Sequence, residues 1–325
     1  MASAAEQEEN LGSAGAATMV AHHRVAFVVL AAVLIAAPFF VYPVFAMNVL
    51  CFALFASAFN LLLGYGGLLS FGHAAYFGMA SYLSAYAAKS WGLTPELAIL
   101  TGTVVAAGLG GLIGALAIRR QGIYFAMVTL AFAQMIYFFS LQAPFTGGED
   151  GIQAVPRGRL FGLIDLADDR TLYWLVAVIF LIGMLLIYRV IHSPFGQVLK
   201  AIREHEPRAV SLGYRADHYK LMVFVISAAL AGLAGATKAI VFQLASLTDV
   251  HWMMSGEVVL MTLLGGVGTV FGPMVGAALI VTMQNYLAPF GAWVTVIQGV
   301  VFVVCVLLFR EGIVGVLGHV LKRPL

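Results

Sequence analysis

Charged side chains are scarce in this chain. They make up 10% of its 325 residues, whereas 62% of the residues are hydrophobic and the mean hydropathy is +0.98. A soluble domain typically carries about 25% charged and about 45–50% apolar residues. The deficit of charge excludes an ordinary soluble domain and predicts an integral membrane protein. The net charge of +2 says little by itself, because the distribution of the charges matters more than their sum.

Cysteine and reactive side-chain clusters are equally sparse. The two cysteines, Cys51 and Cys305, fall inside apolar segments. We interpret them as small buried hydrophobic residues and not as a disulfide or a metal pair. No cluster in the sequence resembles a metal site, a nucleophile–base pair or a relay of several acids. This scarcity argues against a membrane enzyme and against a proton-driven pump.

Nucleotide-binding motifs are missing as well. A phosphate-binding loop needs the pattern GxxxxGK followed by Ser or Thr, and no glycine here stands before such a lysine. The dinucleotide fingerprint fails because Phe271 stands where a glycine should follow Gly266 and Gly268. We therefore expect a non-catalytic chain that holds no cofactor or metal, binds no nucleic acid and does not hydrolyse ATP by itself.

Long apolar segments run through most of the sequence, and a helix needs about 20 apolar residues to cross the hydrocarbon core. The segment 256–288 is too long for one span and is interrupted by glycines, so we divide it into two arms. The sequence thus predicts an all-α polytopic membrane protein with about ten transmembrane or half-spanning helices. The other segments lie at 25–43, 46–63, 70–88, 96–117, 121–140, 172–191, 219–242 and 293–309.

The basic residues support ten crossings with both termini in the cytoplasm. With alternating crossings, twelve lysines and arginines fall at inner ends and four in outer loops, the asymmetry that the positive-inside rule expects. If the segment 256–288 were counted as one span instead of two, the basic C-terminus would lie on the outer side of the membrane. The inner set is Arg24, Arg119, Arg120, Arg189, Lys200, Arg203, Arg208, Arg215, Lys220, Arg310, Lys322 and Arg323, and the outer set is Lys89, Arg157, Arg159 and Arg170.

Three regions follow from this topology. Residues 1–24 carry three glutamates among Ala, Ser and Gly, so we expect a disordered cytoplasmic tail. Residues 25–312 form the transmembrane domain, and 313–325 form a cytoplasmic C-terminal segment. The first apolar segment is interpreted as a retained span and not as a signal peptide, because its leader is long and net acidic.

A polar interruption at 193–218 separates two apolar segments. Basic residues cluster there, and short basic loops stay on the cytoplasmic side, so the loop suits a surface for a cytoplasmic partner. Pro207 fits the first position of a short amphipathic helix, and Gly213 fits the position after its end. A solvated connector is the alternative interpretation. The residues expected to be available for docking are Ala209, Val210 and Leu212.

Two glycine-rich stretches, 64–82 and 265–277, interrupt the apolar pattern. Non-helical backbone at membrane depth survives only beside protein or a water-filled cavity, and paired broken segments point to a translocation path. Tight helix packing alone is the alternative, which Gly268, Gly272 and Gly276 satisfy by their four-residue spacing. The candidate path residues are Gly66, Gly67, Ser70, Gly72, His73, Gly265, Gly266, Gly268, Gly272 and Pro273.

Three ionisable residues within the spans receive individual interpretations. Lys238 lies near the outer end of its span and is expected to extend to the interface. Glu257 stands at the start of an arm, where a carboxylate suits a helix N-terminus, so we expect a structural role. His73 is interpreted first as a hydrogen-bonded packing residue and second as a substrate or proton ligand.

Four separated motifs then carry a family resemblance. They read LLLGYGGLLSFGHAAYFGMASYLSAY, IYFAMVTLAFAQMI, SPFGQVLKAIREHEPRAVSLGY and LLGGVGTVFGPMVGAALIV, in that order. Over about residues 25–312 the chain resembles the permease subunits of branched-chain amino-acid ABC importers, and within that family the LivM-type subunit.

The resemblance implies a complex in the bacterial inner membrane. Its other members would be a LivH-type permease, two ATPase subunits that bind ATP and Mg²⁺, and an extracytoplasmic substrate-binding protein, with membrane lipid around the helices. The expected fold is that of type II importer permeases, with an outer loop at 142–171 and a coupling loop at 194–213. Within it, Glu204–Gly213 would seat in an ATPase groove. The implied coupling residues are Gly196, Lys200, Arg203, Glu204, Pro207, Arg208, Leu212 and Gly213.

The resemblance also implies leucine, isoleucine and valine as substrates. Specificity is expected to reside mainly in the binding protein, so the permease cavity can be apolar and unspecialised. A family member that carries urea, short amides or aromatic acids is the main alternative, because no residue here separates these substrates. An ion-coupled secondary transporter is a remote alternative, since it would need an intramembrane ion site.

Overall fold

The computed structural model describes residues 27–291, 293–308 and 312–320. The acidic tail expected at 1–24 lies outside the described residues. So do Arg310 and residues 321–325 of the expected C-terminal segment.

Helices make up most of the described chain, and short antiparallel strands accompany them. A π-helical turn, Leu61–Tyr65, extends the second helix. The helices are α1 Phe27–Phe40, α2 Pro43–Asn60, α3 His73–Lys89, α4 Pro95–Ala117, α5 Ile123–Gln142, α6 Asp169–His192, α7 Pro194–Ser211, α8 Ala216–Phe242, α9 Trp252–Gly265, α10 Gly272–Leu287, α11 Trp293–Leu308 and α12 Gly312–Val320. The strands are β1 Ile152–Gln153, β2 Arg159–Leu160, β3 Ile164–Asp165 and β4 Leu244–Ala245.

Each apolar segment identified in the sequence overlaps a helix, and the segment 256–288 divides into α9 and α10 at its glycines. Five helices are long and apolar enough to cross a membrane: α4, α5, α6, α8, and α2 with its π-helical turn. Helices α1 and α9 are apolar but shorter than the roughly 20 residues that a full crossing needs. An all-α polytopic membrane fold is therefore confirmed.

Local sequence signals explain several helix starts. Proline occupies the first helical position of α2, α4 and α7, where its fixed φ suits the helix and its missing N–H costs nothing. The Asp168 carboxylate accepts a hydrogen bond from the Thr171 N–H (3.2 Å) and so caps α6.

Helices α2 and α8 form the centre of the bundle, and α4, α5 and α6 lie outside them. The central pair is mostly buried, whereas the outer helices expose rows of large apolar side chains. Exposed apolar surface of this extent would be a liability in water and is the expected surface toward lipid. Representative lipid-facing residues are Leu100, Val104, Leu112, Met127, Phe138, Val178, Ile182 and Leu185.

Small residues allow α3, α4 and α8 to pack closely. A Cβ on Gly235 of α8 would collide with the Phe77 carbonyl oxygen of α3. A Cβ on Gly102 of α4 would lie 2.6 Å from the Ala80 carbonyl oxygen. Backbone approach of this kind is the usual basis of helix association in membranes, where lipid is as apolar as the side chains.

The bundle has two distinct ends. The α7 end contains α7, the C-terminal end of α2 and the loop 266–271. The strand end contains the connection 142–171 and the α8–α9 connection, which are joined by pairing of β1 with β4. Arg157 fixes this connection, because its guanidinium forms an ion pair with Asp169 (2.7 Å) and donates to the Val241 carbonyl (3.1 Å).

Lys238, near the strand end of α8, does not extend to the interface as expected. Its ammonium forms an ion pair with Asp249, a carboxylate that is only 1% exposed. The ammonium also lies 5.7 Å from the ring centroids of Phe52 and Phe77. The expectation that Lys238 extends to the interface is wrong because a buried carboxylate on the following connection neutralises its charge inside the protein.

The packing of α3 on α8 makes a direct prediction. We expect Gly235→Ala to lower the thermal unfolding midpoint of the detergent-solubilised protein, because overpacking costs about 1–3 kcal/mol. Gly108→Ala in α4 is the matched control, since no atom lies within 4 Å of a Cβ built there. Equal midpoints for the two variants would contradict the close approach of α8 to Phe77.

Candidate functional site

Helix α7 consists of two helical parts that meet at His205. This residue has φ −155° and ψ 84°, which breaks the helix. The His205 Nδ1 atom accepts a hydrogen bond from the Arg208 N–H (3.2 Å) and so caps the second part. Pro207 lies in the first turn of that part. The short helix predicted at Pro207 is thus the second part of a longer helix, which begins at Pro194 because Ser193 Oγ caps it there.

The second part ends where the sequence predicts. Gly213 has φ +93°, a conformation that favours glycine, and its N–H donates to the Val210 carbonyl (2.9 Å). The Tyr214 N–H donates to the Ala209 carbonyl (3.1 Å). These two bonds form the Schellman arrangement that closes a helix C-terminus.

Apolar side chains are exposed at this helix end. Val210 is 53% exposed and Leu212 is 70% exposed. Ala209, by contrast, is buried against Ile202 and Ala216, so the expectation that it is available for docking is wrong. It instead packs the end of α7 onto the start of α8.

Glu206 holds the second part of α7 to the bundle. One carboxylate oxygen forms an ion pair with Lys220 of α8 (2.6 Å), and the other accepts a hydrogen bond from Gln121 before α5 (3.2 Å). Lys220 is itself buried, so its charge depends on this partner. In the first part, the Lys200 ammonium lies 5.5 Å from the Tyr65 ring centroid. The sequence analysis counted Lys220 among the basic residues at the inner ends of the helices and missed its role as an anchor.

Arg203 connects α7 to the first glycine-rich stretch. Its guanidinium donates to the Gly64 carbonyl oxygen in the π-helical turn. A Cβ on Gly67 would lie 2.7 Å from the Arg203 Cγ atom, and Gly67 has φ +68°. Gly67 therefore gives the arginine room to reach the turn. π-helical turns within helices are frequent at functional sites.

Asn60, at the end of α2, connects the two glycine-rich stretches. Its Nδ2 donates to the Thr269 carbonyl (2.8 Å), and its Oδ1 accepts from the Gly268 N–H (2.9 Å). Thr269 Oγ1 in turn donates to the Gly266 carbonyl (2.8 Å) and accepts from the Gly272 N–H (3.1 Å). Side chains thereby satisfy four backbone groups of the broken segment. The sequence showed Asn60 as a polar residue in a span, but nothing in it identified the partner loop.

The second stretch also packs α9 tightly against α10. A Cβ on Gly265 would collide with the Gly272 carbonyl, and one on Gly276 would collide with the Met261 carbonyl. The packing interpretation therefore applies to Gly272 and Gly276. Gly266 and Gly268 differ, because they have φ +125° and +79° and form the loop itself.

His73 is buried at the start of α3. Its Nε2 lies 2.8 Å from Ser227 Oγ, and Ser227 Oγ donates to the Ala58 carbonyl (2.5 Å). Its ring packs edge-on against Phe59, with centroids 5.0 Å apart. These contacts are those of a packing histidine.

The other candidate path residues of the first stretch lie close by, at the connection between α2 and α3. Ser70 Oγ accepts a hydrogen bond from the Gly72 N–H (3.1 Å). Gly66, Ser70, Gly72, Gly265, Gly266 and Pro273 are buried, while Gly67 is exposed. The two stretches therefore form one continuous packed element, joined by Asn60 at the α7 end.

A cavity of about 290 Å³ lies at the other end of α9. Glu257 lines it and is the sixth residue of α9, so the expectation that its carboxylate sits at a helix N-terminus is wrong. Helix α9 begins four residues earlier than the predicted arm, with His251 as its cap. Glu257 Oε2 instead accepts a hydrogen bond from Gln284 Nε2 of α10 (3.1 Å). Its lining also includes Tyr137, Leu247, His251 and Met254.

Comparison with known proteins gives the family. Residues 42–308 match the family described as the permease component of branched-chain amino acid transport systems. Two curated relatives are 28% identical to the chain over 277 residues; each is a high-affinity branched-chain amino acid transport system permease protein LivM, from Salmonella typhimurium and from Escherichia coli K12. The alignment covers 78% of this chain, and the chain spans 65% of the length of these relatives. No solved structure matches the chain.

The family match covers most of the described residues, including α7 and both glycine-rich stretches. Together with the apolar helices it shows that this multi-pass protein of the bacterial inner membrane belongs to the permease-component family of branched-chain amino acid transport systems.

Proposed function

We propose that the chain is a permease subunit of an ATP-driven ABC importer for leucine, isoleucine and valine. The observation that carries the proposal is the family match over residues 42–308. The named relatives are branched-chain amino acid permeases, which supports the substrate class. Its partners would be a LivH-type permease, two ATPases that bind ATP and Mg²⁺, and an extracytoplasmic binding protein. The fold would be of the type II importer kind.

The proposed topology has ten transmembrane or half-spanning helices, α1 to α6 and α8 to α11, with both termini in the cytoplasm. The α7 end then faces the cytoplasm, which agrees with the basic residues around α7. The strand end, with the connection 142–171, then faces outward and receives substrate from the binding protein. Residues 1–24 and 313–325 would be cytoplasmic, and 25–312 would be the permease domain.

The coupling element in this proposal is 194–213 within the loop 193–218. The exposed Val210 and Leu212 suit an apolar groove on an ATPase, and the helix end that bears them is anchored by Glu206. Arg203 then transfers displacement of α7 to the Gly64 turn. From there Asn60 transfers it to the loop 266–271. The remaining coupling residues, Gly196, Lys200, Glu204, Pro207, Arg208 and Gly213, shape or flank α7.

The proposed translocation path runs along the two broken segments and is completed by the second permease. Gly66, Gly67, Gly266 and Gly268 would supply backbone that can change conformation as the bundle rocks. Substrates of other family members, such as urea, short amides or aromatic acids, are the main alternative. An ion-coupled secondary transporter is the remote one.

Reconstitution tests the function. We expect vesicles that contain both permeases, the ATPases and the binding protein to accumulate labelled leucine when ATP is present at the ATPase face. Vesicles with this chain alone should accumulate none. Accumulation by the chain alone would establish a secondary transporter. Uptake of urea or an amide but not of leucine would establish the alternative substrate class.

The docking surface makes a second prediction. We expect Leu212→Glu to weaken ATPase binding by about tenfold or more, because a charge would enter an apolar contact at the interface. The measurement is co-purification of the ATPase with the permease. Leu163→Glu is the matched control, since Leu163 is 87% exposed on the β2–β3 hairpin at the opposite end. Equal ATPase binding by both variants would refute the assignment of α7.

The arginine link makes a third prediction. We expect Arg203→Gln to keep the ATPase bound but to lower leucine transported per ATP hydrolysed by about tenfold, within the range of ordinary coupling free energies. Arg215→Gln removes a charge from the same segment at an exposed residue and should leave the ratio unchanged. An unchanged ratio in Arg203→Gln would show that coupling bypasses the Gly64 turn.

A further inference from the structure

Glu257 is a carboxylate within the membrane domain that forms no ion pair with any described residue. The ion pairs of the described residues are Arg157–Asp169, Lys220–Glu206 and Lys238–Asp249, and Glu257 belongs to none of them. Gln284 satisfies Oε2, while Oε1 has no hydrogen-bond donor within the described part of the chain. An ionisable group within a membrane domain is costly unless it is paired, and it marks a functional site by default.

Glu257 lines a cavity of suitable size. At about 290 Å³ the cavity is at the lower limit for small-molecule sites, which suits a ligand smaller than a drug. It lies between α5 and the N-terminal half of α9, at the strand end of the bundle. Leu247 and Met254 contribute apolar surface to its wall.

The cavity also offers donors for an anion, apart from Glu257. His251 Nδ1 accepts a hydrogen bond from the Met253 N–H (3.3 Å), so in the neutral imidazole the proton is on Nε2. The Tyr137 ring holds the imidazole edge-on, with centroids 5.2 Å apart. His251 also caps α9, whose positive dipole end therefore lies at the same wall. Within the described chain, no residue forms a hydrogen bond with His251 Nε2, so this N–H is available to a ligand.

These groups match the chemistry of one class of ligand. An α-amino acid carries an ammonium, a carboxylate and a side chain on one carbon. The ammonium would neutralise Glu257, and the carboxylate would accept from His251 Nε2 and face the α9 N-terminus. A branched aliphatic side chain would contact Leu247 and Met254. Urea and amides carry no ammonium, and neither does an aromatic acid without an amino group.

We propose that this cavity binds the transported amino acid as a zwitterion, with Glu257 as the ligand of its ammonium group and His251 as the donor to its carboxylate. The proposal rests on the proposed function and adds that the permease itself recognises the amino-acid backbone. It replaces the expectation of an unspecialised cavity and of a structural role for Glu257.

The test measures discrimination as well as uptake. The complete importer without its binding protein is assayed in detergent for displacement of labelled L-leucine, with unlabelled L-leucine or 4-methylpentanoate, which is leucine without the ammonium, as competitor. We expect the wild type to prefer leucine. Glu257→Gln should reduce that preference by about tenfold or more, since a buried charge pair is lost. Glu257→Asp should retain part of it.

Two further variants separate binding from folding. Glu96→Gln is the matched control, because Glu96 is a half-buried carboxylate at the same end of the bundle whose Oε1 accepts from the Phe161 N–H (3.2 Å). It should keep the preference for leucine. Gln284→Leu removes the protein partner of Glu257 but keeps the carboxylate, so it should reduce the preference less than Glu257→Gln does.

The outcomes distinguish this site from the function itself. Wild-type vesicles that import leucine, combined with an unchanged preference in Glu257→Gln, would overturn the site and leave the function standing. Equal losses of preference in Glu257→Gln and Gln284→Leu would also overturn it, in favour of a structural Glu257–Gln284 contact. Wild-type vesicles that import only urea or an amide would overturn the function and, with it, the ammonium site.

Discussion

The two hydrogen bonds of the Asn60 amide are the interaction on which the membrane domain depends. A helix that breaks inside a bilayer exposes backbone N–H and C=O groups that lipid cannot satisfy. The loop 266–271 interrupts the apolar segment between α9 and α10, and Asn60 meets both kinds of group, accepting from the Gly268 N–H and donating to the Thr269 carbonyl. A primary amide is suited to this task because it carries a donor and an acceptor on one planar group. Without Asn60, α9 and α10 would be held at this loop mainly by their glycine contacts.

The same bonds determine how motion can travel. Asn60 ends α2, and the π-helical turn that follows it presents the Gly64 carbonyl to Arg203 of α7. The Arg203 and Asn60 side chains therefore connect three elements that are distant in sequence: α7, the π-helical turn after α2 and the α9–α10 loop. The second part of α7 is tied separately, through Glu206, to Lys220 and Gln121. A force on the exposed end of α7 acts on the bundle through both contacts. The kink at His205 lies between them, so it is the place where α7 can bend.

Hydropathy predicted the spans, and local signals predicted the end of α7, because both depend on residues adjacent in sequence. Gly213 is an example: only the next few backbone groups decide its conformation. The contacts that organise the site are different. Asn60 meets residues more than 200 positions away, and nothing in the periodicity of either segment indicates the pairing. Lys238 illustrates the same limit, because its position near a helix end predicted exposure while Asp249 neutralises it inside the fold. Glu257 was misplaced because α9 begins at Trp252, directly after His251, a helix cap that the sequence analysis did not identify.

Helix α9 connects the loop held by Asn60 to the cavity lined by Glu257. It has 14 residues, about 21 Å at the usual rise, so it is too short to span the bilayer and stiff enough to move as one body. Its C-terminal end is continuous with the loop that Asn60 holds, and its N-terminal half forms a wall of the Glu257 cavity. Under the proposed function, ATP-driven displacement reaches one end of α9 and cargo occupies the other. A tilt of this helix would then change the separation of Glu257 on α9 from Tyr137 on α5 and so open or close the cavity. Cargo affinity and ATPase state are thereby linked, and the linkage is reciprocal, so cargo bound at Glu257 must in turn bias the position of α7.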